Sequence, residues 1–164
     1  MDTLLQGLQV AAIGAGATAL MDAWLALLAR LGVRGLDLAL VGRWLGHVAR
    51  GTWSHAAIAK AAPVARERAL GWLVHYAVGV AFAALLVALT GGGWLADPTL
   101  MPALAVGVAT VAAPWLVMQP AMGAGFFAAK TPKPLRSCLR SLASHAVFGA
   151  GLYLAAVLLD SILR

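Results

Sequence analysis

Apolar residues in this chain run in long unbroken stretches, with none of the strict alternation that marks a half-buried strand. Crossing the hydrocarbon layer takes about 20 mostly apolar residues. Four stretches are long enough: Leu4–Ala29, Leu70–Thr90, Thr99–Ala128 and Leu142–Leu163. Each has at most one acidic residue away from its ends. A fifth apolar patch, Leu36–Val48, is too short to span and is interrupted by Asp37, Arg43 and His47. It reads as an amphipathic helix lying at the interface. The pattern predicts an all-α fold, a four-helix membrane bundle forming a single domain over 1–164, with that short helix in the first connection.

Composition supports the same class. Of 164 residues, 62% are hydrophobic and 11% charged, with 18 Gly and 6 Trp. Soluble domains run at about 45–50% apolar and about 25% charged. A water-soluble fold of this size has too little interior to hide the excess. Disorder and a nucleic-acid module are excluded on the same ground, despite a net charge of +6. The single cysteine, Cys138, rules out an intrachain disulfide and a Cys-cluster metal site. No basic residue precedes Arg30, so the first stretch reads as a retained span and not as a cleaved leader.

The charges set a direction. Arg30, Arg34, Arg43, Arg50, Lys60, Arg66 and Arg68 lie between spans one and two, and Lys130, Lys133, Arg136 and Arg140 between spans three and four. The middle connection, Gly91–Pro98, has none, and Arg164 stands alone at the far terminus. The positive-inside bias places the two basic connections in the cytoplasm and both termini outside. Anionic lipid at the cytoplasmic face is the partner this charge implies. Trp72 and Trp94, near the two ends of span two, fit aromatic belts, and Trp44 and Trp53 fit headgroup anchors. Gly91-Gly-Gly93 reads as a plain tight turn.

Helices in lipid associate through small residues. Gly7, Gly14, Gly16, Ala17 and Ala19 in span one, Gly71, Gly79, Ala83 and Ala84 in span two, and Gly149, Ala150 and Gly151 in span four supply them, for a compact bundle or for a homodimer. Span three is too long to cross straight. Pro114 and Pro120 each lack an N–H and free the carbonyl four residues earlier, on Thr110 and Leu116. Irregular backbone is therefore expected over Trp115–Gly125, which is tolerated in a membrane only where protein or a water cavity satisfies it.

Each span also carries polar residues, all in the cytoplasmic half: Asp22, His75, Gln119 and His145. Gly14, Thr18 and Asp22 form an i, i+4, i+8 stripe, and Ser141, His145, Gly149 and Tyr153 repeat it on span four. A buried Asp costs about 2.5–3.5 kcal/mol at a span centre and is kept by pairing or hydrogen bonding. One convergent ligand site follows as an expectation. In it Asp22 is acid or counter-ion, His75 and His145 are donors or ligands, and Gln119 is an orienting amide. Thr18, Met118, Met122 and Trp115 complete the wall. The plainer reading is that these groups only tie helices together.

Two His, one Asp and thioethers could suit zinc or copper. His75 and His145 could also be axial ligands of haem b. No HxxxH or CxxC spacing supports either. No nucleophile–base order, phosphate loop or paired carboxylates offers catalytic chemistry a handle.

Five ordered motifs carry a family resemblance: Gly14-Ala-Gly-Ala-Thr-Ala-Leu-Met-Asp22, Val41-Gly-Arg-Trp-Leu-Gly-His47, Gly71-Trp-Leu-Val-His-Tyr-Ala-Val-Gly79, Met118-Gln-Pro120 and His145-Ala-Val-Phe-Gly-Ala-Gly-Leu-Tyr153. Over essentially its whole length the chain resembles a bacterial inner-membrane family known as domain of unknown function 2938. The resemblance implies four spans and assigns no activity. Because Arg43, Trp44 and His47 fall in a family motif, they are candidates for the cytoplasmic mouth of the site. The functional expectation is small-solute or ion binding or transport. The alternatives are a membrane haem- or metal-binding redox protein and a non-catalytic accessory subunit.

Overall fold

A computed structural model describes residues 3–33 and 35–163; Arg34 and Arg164, which enter the charge distribution above, lie outside them. The described residues are helical and turn, with no strand. Among the described residues seven α-helices follow in order: α1 Thr3–Arg30, α2 Leu38–Val48, α3 Glu67–Thr90, α4 Gly93–Ala96, α5 Leu100–Ala109, α6 Gln119–Ala121 and α7 Pro134–Leu163. Four segments are long and apolar enough to cross a membrane: α1, α3, Leu100–Ala121 and α7. In the most apolar 18 residues of each, at most 28% of the residues are buried inside the protein.

The chain forms two compact units. Unit 1 takes residues 1–33, 76–110 and 143–164, and so gathers part of every long helix into a four-helix arrangement. Its core is built from Ile13, Ala17, Ala83, Leu86, Trp94, Leu95, Ala103, Val106, Phe148, Leu152 and Ala156. Three antiparallel seams hold it. A Cβ on Gly14 would lie 2.5 Å from the Val80 Cα, one on Gly151 would lie 3.0 Å from the Ala17 Cα, and one on Gly107 would collide with the Gly149 Cα. Backbones approach this closely because at least one side of each contact lacks a Cβ, which is the packing that small residues make available in lipid.

Unit 2 takes residues 34–75 and 111–142. Asp37 caps α2, its carboxylate accepting from the Ala39 N–H at 2.9 Å. Helix α2 lies against the first turns of α3 through a glycine pair: a Cβ on Gly42 would strike the Glu67 carbonyl, and one on Gly71 the Leu38 carbonyl. The remainder of the first connection folds back onto the broken end of the third span. The His55 N–H donates to Ala121 O at 2.8 Å and the Ile58 N–H to Met122 O at 3.1 Å.

Three boundaries differ from the sequence expectation. The third span ends at Ala121 rather than Ala128, because Gly123 (φ 95°) and Gly125 (φ 75°) turn the chain left-handed, followed by Phe127 (φ 52°) and Ala128 (φ 57°). Helix α7 begins at Pro134 rather than near Leu142, so Arg136, Cys138 and Arg140 sit on helix rather than in a loop. Proline suits a first helical turn, and the basic residues after it keep ordinary helix propensity. The Gly91–Pro98 connection is more than a turn: it holds α4, whose Trp94 is 6% exposed in the core and donates from Nε1 to Thr99 O at 3.1 Å. Trp94 is therefore an interior residue rather than part of an aromatic belt.

Candidate functional site: polar groups on the long helices

In unit 1 the small-polar stripe of α1 packs directly on α3. The Thr18 hydroxyl donates to its own helix at Gly14 O (2.8 Å) and is 1% exposed, so close to Gly79 that a Cβ there would collide with it. One turn further along the same seam, the Tyr76 hydroxyl donates to Asp22 Oδ2 at 3.1 Å. The second hairpin has a comparable arrangement. Gly107 presses on Gly149, and the Thr110 hydroxyl bonds Gly107 O at 2.6 Å and pairs with His145 Nδ1 at 2.9 Å. The α1–α3 and α5–α7 seams thus each carry a hydroxyl-centred hydrogen bond between helices.

Tyr76 and Thr110 were not singled out from the sequence. A signal existed for both: Tyr76 precedes Gly79 by three and Thr110 follows Gly107 by three, which places each on its helix's packing face.

The other candidates lie in unit 2. His75 meets Trp72 edge-on, with ring centroids 6.0 Å apart. Arg43 grips Glu67 with two bonds, Nε to Oε2 at 2.9 Å and Nη2 to Oε1 at 2.7 Å, and its Nη1 reaches the carbonyls of Ala59 and Ala61, both at 3.2 Å. The hydrogen bond to Glu67 raises the Arg43 pKa above its usual value, so this fork stays charged at any working pH. Trp44 donates to Trp53 O at 2.9 Å, and His47 Nε2 lies 2.9 Å from Ala62 O. All three proposed mouth residues therefore bind the backbone of the first connection.

Trp115, Met118, Gln119 and Met122 occupy the broken third span. Pro114 has no N–H to continue the α-ladder, and Pro114–Met118 forms a π-turn closed by the Gln119 N–H on Pro114 O. Such turns are rare and concentrate at functional sites. The turn leaves two polar atoms buried without a hydrogen-bond partner, Trp115 Nε1 and Gln119 Oε1. The Trp115 ring stacks at a tilt on Phe127, with centroids 5.5 Å apart, and Met122 is 9% exposed.

A family model described as "Protein of unknown function (DUF2938)" matches residues 11–159. The chain belongs to this family. No curated protein matches it, and no solved structure does. The DUF2938 match takes in all three glycine seams, the clamp on α2 and the π-turn.

Among the described residues, no three His, Cys, Asp or Glu groups come together in an arrangement that could hold a metal ion. His145 spends Nδ1 on Thr110, which leaves Nε2 as its one ring nitrogen for any ligand.

Proposed function

We propose that this DUF2938 protein binds a small polar solute at the broken third span and passes it across the inner membrane, with its basic connections in the cytoplasm. The observation that carries this reading is the π-turn, which strands the Trp115 N–H and the Gln119 carbonyl away from water. An unsatisfied buried polar group costs about 1–3 kcal/mol. A donor and an acceptor four residues apart suit one solute that offers both, such as an alcohol or a carboxamide. Met118 and Met122 supply the apolar wall, and broken helices form the binding element of many transporters. The orientation follows from the eleven basic residues confined to two connections. On this reading Asp22 and His145 hold helices together, since each has a hydrogen bond across a seam, while Thr18 bonds its own helix and fills the α1–α3 contact.

Stopped-flow light scattering on proteoliposomes tests it, with glycerol, urea and acetamide as probes. The protein should accelerate entry of at least one of them over protein-free vesicles. Gln119→Leu should cut that acceleration about tenfold while stabilising the fold by about 1–3 kcal/mol, because it replaces a stranded carbonyl with an apolar group of similar size. Entry no faster than through bare lipid, for all three solutes, would end this reading.

A further inference from the structure

Helix α2 ends at Val48, and the chain then reverses within unit 2. The His47 carbonyl accepts from the Arg50 and Thr52 N–H groups, at 2.9 and 3.0 Å, and Gly51 takes the left-handed backbone (φ 86°) of the reversal. The returning segment is then fixed on either side of residue 54. Trp53 O accepts from the Trp44 indole at 2.9 Å, and the His55 N–H donates to Ala121 O at 2.8 Å. This brings together two histidines eight positions apart in the chain. The His47 and His55 rings meet edge-on, with centres 4.9 Å apart and planes at 73°.

Their nitrogens are ready to bind. His47 Nε2 lies 2.9 Å from Ala62 O. A carbonyl can only accept, so in the neutral ring Nε2 carries the proton and Nδ1 keeps its lone pair. Metal-bound histidines usually take this form, because a carbonyl on one nitrogen fixes the tautomer and the ring orientation for the other. His55 Nδ1 is buried without a hydrogen-bond partner. The spacing fits as well. An ion bonded at about 2.0–2.1 Å sits about 3.2 Å from an imidazole centre, so two rings sharing it in neighbouring positions have centres about 4.5–5.2 Å apart. Arg43, one turn before His47, has its charge balanced by Glu67 at 2.7 Å. Among the described residues no third His, Cys, Asp or Glu joins the pair. Water or a small ligand would fill the other positions, which makes the ion exchangeable rather than structural.

We infer that His47 and His55 form a binding site for a divalent transition-metal ion of the zinc or copper class, which imidazole nitrogen favours over calcium or magnesium. Such an ion ties α2 to the segment that pairs with Ala121 and Met122 at the end of the broken third span. The site uses neither Trp115 nor Gln119 and does not depend on the transport reading.

The test uses the full chain, without a histidine tag, in phosphatidylcholine nanodiscs, with zinc(II) or copper(II) alone as the probe. Calorimetry with zinc should show saturable binding above empty nanodiscs, undisturbed by excess magnesium. Pulsed EPR with one equivalent of copper should count two imidazoles on the ion, a reading that needs no variant to fold. His55→Phe should weaken zinc binding at least tenfold, since losing even a group that only supports a ligand costs about 10–100-fold. Zinc binding no greater than to empty nanodiscs, displacement by magnesium, fewer than two imidazoles on copper, or unchanged zinc affinity in a folded His55→Phe protein would each overturn the inference.

Discussion

At Gly14 a single methyl group decides whether two helices can touch. Its Cβ would sit 2.5 Å from the Val80 backbone, which cannot swing aside as a side chain can, whereas a Cβ on Gly7 in the same helix would meet nothing within 4 Å. Gly14→Ala should therefore destabilise the protein by about 1–3 kcal/mol in thermal unfolding. Gly7→Ala should be neutral or gain up to about 1 kcal/mol from helix propensity. Equal effects at the two positions would refute the seam. Gly14, Gly79, Gly149 and Gly151 were legible from sequence because small residues are what close packing in lipid demands. Gly107 was not, although Ala103 stands one turn before it on the same helix face. Asp22 and His145 were legible as polar groups within apolar spans, but the hydroxyls they bond were not. Asp22 accepts from the Tyr76 hydroxyl, and His145 pairs with the Thr110 hydroxyl. Which helices are neighbours is a fact of packing that one sequence does not encode locally.

Among the elements, α2 shows how a short helix can be fixed without a large core. Asp37 starts it, Gly42 lets it approach α3, and the Arg43 fork ties it to Glu67 and to two carbonyls of the following connection. Lysine carries the same charge as arginine and lacks the planar fork. Arg43→Lys should thus leave the helices folded yet open the first connection to trypsin, with faster cleavage at Arg50, Lys60 or Arg66 on a gel. Cleavage at the wild-type rate would show that the fork does not hold the loop. The break in the third span was readable in advance, because Pro114 and Pro120 remove donors wherever they stand. Its form as a π-turn was not, because the surplus residue can be absorbed in several ways and packing selects one. The early start of α7 was hidden for a simpler reason. Hydropathy marks where a helix enters lipid, and α7 is already helical for two turns before that.

Over the whole chain, four apolar segments and their order follow from composition and length alone, and the structure contains all four. The orientation proposed for them makes the lone cysteine a reporter. Cys138 lies in the basic first turns of α7, half-buried, with its thiol donating to Phe127 O at 3.1 Å. A membrane-impermeant maleimide should modify it in inside-out vesicles and leave it untouched in right-side-out ones; the reverse pattern would invert the topology. The burial of Trp94 matters for anyone who wants a handle on this protein. By length and composition the turn between α3 and α5 resembles a harmless place to graft an epitope. Splitting it would drag an indole out of the interior and unseat the top of four helices at once. The exposed turn at residues 49–51 is the safer graft, since nothing in the core leans on it.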